Sequence, residues 1–254
     1  MEQSVSKRVV VITGAASGIG ARIARTIAGP DTAMLLHTRK NETGLAAVAE
    51  FCRQQGSATE TFLGDLGDAA VAPALIAQAR RLGPIDQLVS NAGQAKRASF
   101  SEMAPEELVA AFAATPVAFL RLVAAALPDL RESKWGRVVA VSSFVAHIYG
   151  TAGLLFPATS AAKAALEALV KALAVELAPT GTTVNAVVPG FTRKEGGGHL
   201  AATTASLQKA IDITPTGRLT EPADIAATVA FLLAPGAAQI TGQAIHVDGG
   251  LMLA

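Results

Sequence analysis

The sequence predicts a single-domain, doubly wound α/β fold, a seven-stranded parallel sheet with helices on both faces. Three observations predict it. Seven short β-rich runs occur along the chain, and helix-patterned segments fall between them, as βαβ units require. The runs are near-continuous Val, Ile and Leu, the pattern of strands buried on both faces. No linker, repeat or low-complexity tract divides the 254 residues, a length one α/β domain can fill.

The first run is Val9–Thr13, followed by a helical pattern over Ala21–Ala28. Ala33–His37 is the second, with a helix over about Leu45–Gln55, and Thr59–Leu63 the third, with a helix over about Ala69–Arg81. Gln87–Ser90 and Arg137–Ser142 are the fourth and fifth. Between them a helical pattern runs from about Pro105 to Leu130 with Pro116 inside it. Proline there lacks a donor and crowds the carbonyl four residues back, so a kink is expected near Phe112–Pro116. A helix over Ala161–Ala178 precedes the sixth run, Thr182–Val188, and Ala244–Val247 is the seventh. Phe191 to Thr220 breaks the rhythm. It is long, polar-to-mixed and carries Gly196-Gly197-Gly198, which predicts a mobile lid over a substrate.

Lys plus Arg number 21 against 20 Asp plus Glu, a formal charge of +1, which argues against a nucleic-acid partner. The lone Cys52 leaves no internal disulfide and fits a reducing compartment. Met1–Arg8 is polar and opens straight into Val9, so no signal peptide is expected. Val138–Ala162 has no Asp, Glu, Lys or Arg but contains His147, Gly150, Gly153 and Pro157. It reads as strand, loop and helix start rather than a membrane span, and a soluble cytoplasmic protein is expected. His37, His147, His199 and His246 show no metal-ligand spacing, His199 and His246 being isolated, so no metal site is expected.

Thr13-Gly14-Ala15-Ala16-Ser17-Gly18-Ile19-Gly20 lies between the first strand and the first helix. Glycines there permit a tight turn and close backbone approach, and the helix N-terminus offers free N–H groups to a pyrophosphate. The next strand ends in Thr38-Arg39-Lys40. A carboxylate at this place would bond the ribose 2′-hydroxyl of NAD. Arg39 instead suits the 2′-phosphate of NADP, which favours NADP (NADPH) over NAD.

On these residues the chain resembles the short-chain dehydrogenase/reductase family, and closely resembles 3-oxoacyl carrier-protein reductases and their relatives. Thr13–Gly20 matches the family's T-G-x-x-x-G-x-G, and Asp65-Leu66 the pair that contacts adenine. Asn91-Ala92-Gly93 matches the run after the fourth strand, Val141-Ser142-Ser143 the strand ending in the catalytic serine, and Pro189-Gly190 the run bordering the nicotinamide. Ile240–Gln243 and Val247–Gly250 match the C-terminal segment. The resemblance implies a cofactor site of Gly14, Ser17, Gly18, Ile19, Gly20, Thr38, Arg39, Asp65, Leu66, Asn91, Ala92, Gly93, Lys163, Pro189, Gly190 and Thr192. It also implies a homo-oligomer, dimer or tetramer, for which the Ala-rich Ala161–Ala178 helix offers close packing, and a small-molecule or carrier-bound substrate.

The catalytic set departs from the family's Asn, Ser, Tyr and Lys. Ser143 and Lys163 are present, but Y-x-x-x-K places Thr159 where tyrosine belongs. The longer spacing Y-x-x-x-x-x-x-K lands on Phe156, and the chain's one tyrosine is Tyr149. The asparagine position falls on Thr115, followed by Pro116. An aliphatic hydroxyl is far less acidic than a phenol, so Thr159 can orient a carbonyl or water but not protonate it. Tyr149, His147 or a water on Lys163 are the alternatives as proton donor. Lys163, Glu167 and Lys171 recur every four residues, and of the three Glu167 and Lys171 read as an exposed charged helix face. Three readings stand: an atypical NADP(H)-dependent oxidoreductase; a nucleotide-binding pseudoenzyme or hetero-oligomer partner; and a non-redox dehydratase, cyclase or isomerase on the same scaffold.

Overall fold

A computed structural model describes residues 7–193 and 204–253. The seven runs form one parallel sheet: β1 (Arg8–Ile12), β2 (Thr32–Thr38), β3 (Ala58–Leu63), β4 (Ile85–Ser90), β5 (Arg137–Val141), β6 (Thr183–Pro189) and β7 (Ala244–Val247). Their spatial order is β3-β2-β1-β4-β5-β6-β7. The order reverses at β1, which pairs with β2 on one side and β4 on the other. A crevice opens beyond the strand ends at such a reversal.

Burial on both faces explains the unbroken apolar runs. Val9 and Val11 point into one core with Val138 and Ala140, while Val10 and Ile12 point into the other with Val139 and Val141. The first core lies beneath α3 (Val71–Ala79), α5 (Ala118–Glu132) and α6 (Pro157–Leu177). The second lies beneath α1 (Gly18–Ile27), α2 (Glu42–Gln54) and α8 (Pro222–Leu233).

The expected kink takes a definite form. The helix α4 (Pro105–Phe112) passes through a five-residue π turn, Ala113–Val117, into α5. Pro116 sits inside that turn, where the wider spacing accommodates its missing donor. By length and composition Pro105–Glu132 is apolar enough to cross a bilayer, its most apolar 18-residue stretch having a mean hydropathy of 2.0 and being 28% buried. Here it packs against α3 and α6, and Val109 and Leu120 remain exposed.

Two boundaries move in ways that matter for the site. α6 begins at Pro157 rather than at Ala161, because proline is preorganised for the first helical turn. Lys163 is therefore well inside the helix, and Thr159 lies in its first turn. The Phe191–Thr220 segment is not all loop. It contains α7 (Thr204–Asp212), and its base is tied by a bridge between Thr192 and Thr220. Gly196-Gly197-Gly198 and His199, on which the mobile lid was expected, lie outside the described residues. α8, which the sequence reading did not assign, starts with Pro222 and a capping box between Glu221 and Asp224.

Candidate active site

Because the strands are parallel, Thr13, Asn91, Ser143 and Gly190 follow β1, β4, β5 and β6 at the same end of the sheet. The glycine turn is held ready for a ligand. Gly14 has a left-handed φ of +67°, and a Cβ there would come within 2.9 Å of the Ala92 Cα. A Cβ on Gly20 would strike the Gly14 carbonyl. Ser17 stands at the N-cap of α1 without capping it through its side chain, and the first turn has no acid. The free N–H groups and positive dipole end of α1 thus suit a phosphate.

Asn91 and Ala92 stitch this cradle to β4. The Asn91 and Ala92 N–H groups both donate to Thr13 Oγ1 at 3.0 Å. The Asn91 Nδ2 donates to the Thr13 carbonyl at 3.0 Å and the Gly14 carbonyl at 3.2 Å. Asn91→Ala removes the two carboxamide bonds and should cost about 1–3 kcal/mol of stability, read by chemical denaturation. A variant as stable as the parent would mean that the clamp holds nothing.

At the end of β2, Arg39 Nη1 lies 3.6 Å from Asp65 Oδ2, both side chains about half exposed. The Gly67 N–H donates to the other Asp65 oxygen at 3.0 Å. Leu66 and Thr38 are buried, while Arg39 and Lys40 face solvent. Across the crevice the Gly190 N–H donates to the Val247 carbonyl at 3.1 Å, and the Thr192 hydroxyl donates to the Gly190 carbonyl at 3.0 Å. Pro189 closes β6.

Between these ends lies Lys163, 8% exposed. Its Nζ donates to the Val141 carbonyl at 2.6 Å. Gly93 leaves room for it, since a Cβ there would sit 3.3 Å from Nζ. Burial pushes the Lys163 ammonium down from the usual lysine range to about 8, and the Glu167 carboxylate opposes that shift. Ser143 caps the single turn Phe144–Ala146, its Oγ accepting weakly from the Val145 N–H at 3.4 Å.

The other candidates are less free. Thr159 is buried, and its Oγ1 accepts from the Lys96 N–H at 3.2 Å. Its hydroxyl thus anchors the segment after β4. Tyr149 is 69% exposed and donates to the Ala146 carbonyl at 3.2 Å. His147 lies 3.0 Å from a Glu167 carboxylate oxygen. Thr115 sits in the π turn, against which α6 packs. Tyr149 lines a cavity of about 340 Å³ together with Phe100, Phe144, Ile148, Leu155 and Phe156 among others. The Arg97 guanidinium lies 5.9 Å from the Phe156 ring centre.

Two expectations need correction. Glu167 is not part of an exposed charged face. It is 6% exposed, accepts from the Ser142 hydroxyl and meets His147, whereas Lys171 does face solvent. The helix turns the two i,i+4 neighbours of the spacing to different surroundings. His246 is not isolated, because its ring lies edge-on to that of His147 with centres 4.7 Å apart. Strand pairing of β6 with β7 brings it there, and no local sequence pattern announces that approach.

A family model described as enoyl-(acyl carrier protein) reductase matches residues 14–252. The chain belongs to that family, within the short-chain dehydrogenases/reductases. It is 33% identical over 249 residues to the 3-oxoacyl-[acyl-carrier-protein] reductase FabG of Vibrio cholerae, covering 97% of this chain and 98% of that protein. It is 35% identical over 247 residues to the uncharacterized oxidoreductase YmfI of Bacillus subtilis, covering 96% and 98%. Among solved structures, an actinorhodin polyketide ketoreductase with NADPH superposes with a TM-score of 0.87 at 30% identity, covering 97% of both chains.

Proposed function

We propose that this short-chain dehydrogenase/reductase is an NADP(H)-dependent oxidoreductase that acts on a carbonyl-like substrate without the family's tyrosine. The observation that carries the reading is Lys163, buried beside the dinucleotide crevice and titrating near 8. A proton donor works best with a pKa close to the working pH. Lys163 meets that condition while buried in the site. The NADPH in the actinorhodin ketoreductase structure supports the cofactor assignment, and Arg39 at the end of β2 supports NADP over NAD.

The cradle fits such a cofactor. Gly14, Gly18, Ile19 and Gly20 would hold the pyrophosphate, Arg39 the 2′-phosphate, Asp65 and Leu66 the adenine, and Lys163 the nicotinamide ribose. When bound, the nicotinamide supplies the hydride. The Ser143 hydroxyl donates to the substrate oxygen and fixes its position. Lys163 Nζ releases a proton toward that oxygen through a water. Thr159 holds the Lys96 backbone and shapes the wall. The apolar cavity excludes water from the substrate body. Substrate of the acyl or carrier-bound kind fits its Phe- and Leu-rich lining.

NADPH should raise the melting temperature, because a ligand selective for the folded chain stabilises it. Arg39→Ala should weaken NADPH about 10- to 100-fold, the worth of one charge-assisted contact, and leave NADH unchanged. No shift with either nucleotide would refute the oxidoreductase reading. A second reading, a nucleotide-binding partner with little turnover, draws on the engagement of Thr159 with Lys96. NADPH binding without oxidation across a panel of ketones and acyl thioesters would favour it.

We further propose self-association through α4, α5 and α6, where Val109, Leu120 and Val175 are exposed on helices of apolar character. Val175→Glu should reduce the sedimentation coefficient to that of a monomer. An unchanged value would place the interface elsewhere.

A further inference from the structure

Behind the crevice lies a chain of polar groups that the proposed chemistry does not use. Glu167 follows Lys163 by one turn of α6, and both side chains are buried. Its Oε1 accepts the Ser142 hydroxyl proton from the end of β5 and lies 3.0 Å from His147 Nε2. The His147 ring meets the His246 ring of β7. His246 Nδ1 in turn lies 3.9 Å from Asp248 Oδ2, and the Asp248 carboxylate is held by the N–H groups of Gly250 and Met252. The groups facing Lys163 are the Glu167 carboxylate from its own helix, the Val141 carbonyl from β5 and the open space at Gly93 after β4.

A buried carboxylate is costly unless hydrogen-bonded or paired. Ser142 and His147 supply the hydrogen bonds, and both converge on one oxygen. The carboxylate's charge is also felt by Lys163, buried one helical turn away. A full carboxylate next to a buried ammonium favours the charged lysine.

We propose that Glu167 is a positioning residue for Lys163: its carboxylate, fixed by the Ser142 hydroxyl and the His147 ring, sits one turn along α6 and holds the buried lysine in its charged form. The inference rests on the reading that Lys163 holds the cofactor ribose and gives up the proton.

The test follows the Lys163 Nζ signal by ¹⁵N NMR through a pH titration of the cofactor-free protein. The parent midpoint is expected at about 8. Glu167→Gln should lower it by about one pH unit, since a neutral amide replaces a buried charge one helical turn away. Glu167→Asp, which withdraws the carboxylate by one methylene and keeps the charge, should give a smaller fall. His147→Gln, which keeps a donor but cannot become charged, should leave the alkaline midpoint in place. NADPH affinity provides a second measurement. Glu167→Gln should bind about five- to tenfold more weakly than the parent at pH 8 and equally at pH 6, where Lys163 is charged in both. An unmoved Lys163 midpoint in both Glu167 variants, or a loss of affinity that is the same at every pH, would overturn the proposal. Should the parent bind no NADPH, the reading of Lys163 as a cofactor ligand fails, and the midpoint in the free protein still decides the coupling.

Discussion

Replacing Thr159 by tyrosine should raise reduction of a simple ketone by NADPH about 10²- to 10⁴-fold, the usual contribution of a positioned general acid. The replacement puts a phenol one helical turn before Lys163, whose nearby ammonium favours the phenolate and lowers its pKa toward neutrality. The cost falls on packing. Thr159 is buried and bonded to the Lys96 N–H, so the larger ring displaces the 96–98 segment and leaves that donor to water. Thr159→Phe is the control, with similar bulk and no hydroxyl, and should gain nothing. Steady-state oxidation of NADPH over a ketone panel reads the result. A folded Thr159→Tyr that binds NADPH but gains no activity would show that the missing phenol is not what sets this site apart.

Lys163→Met should stabilise the fold at pH 7 and cripple the site. The lysine titrates near 8 in the folded chain against 10.5 in the unfolded one, mainly because it is buried. The folded value is the lower of the two. Below pH 8 the fold therefore bears the full cost of a buried charge, and that cost is relieved as pH rises from 8 to 10.5. The interval corresponds to about 3 kcal/mol at ~1.4 kcal/mol per tenfold change. Loss of the bond to the Val141 carbonyl offsets about 1 kcal/mol. Methionine fills the channel without charge, so the variant should be about 1–2 kcal/mol more stable at pH 7 and lose that advantage above pH 10. NADPH binding should weaken at least about tenfold. Equal denaturation midpoints for parent and variant at both pH values would contradict the account, as would a stability gain that persists at high pH.

The fold was legible where local chemistry decides it. Unbroken Val and Ile runs can be satisfied only between two layers, and Pro116 forces a break wherever the helix meets it. The glycine turn could be assigned because its residues do their work next to one another. The helix α8 was missed because Ala, Val and Leu in Pro222–Leu233 suit strand and helix alike. The signal that distinguishes them is the Glu221, Pro222 and Asp224 start. The site was legible as a set of residue types and not as a set of partners. Nothing near Glu167 in the sequence tells that Ser142 and His147 will close over it. Likewise the engagement of Thr159 with the backbone of Lys96 arises only when the segment after β4 folds across the first turn of α6.

The reversal of strand order at β1 has a mechanical meaning. Residues of β1 to β3 make one wing of the sheet and β4 to β7 the other, and the wings adjoin along the line between β1 and β4. Asn91 and Thr13 fasten that line at its upper end. A dinucleotide bound across it, as proposed above, would grip both wings at once and act as a rivet. Chain cleaved in the short Arg81–Pro84 connection between α3 and β4 would give two pieces whose reassembly such a molecule would favour, so that holding the ligand and keeping the sheet whole would draw on the same contacts.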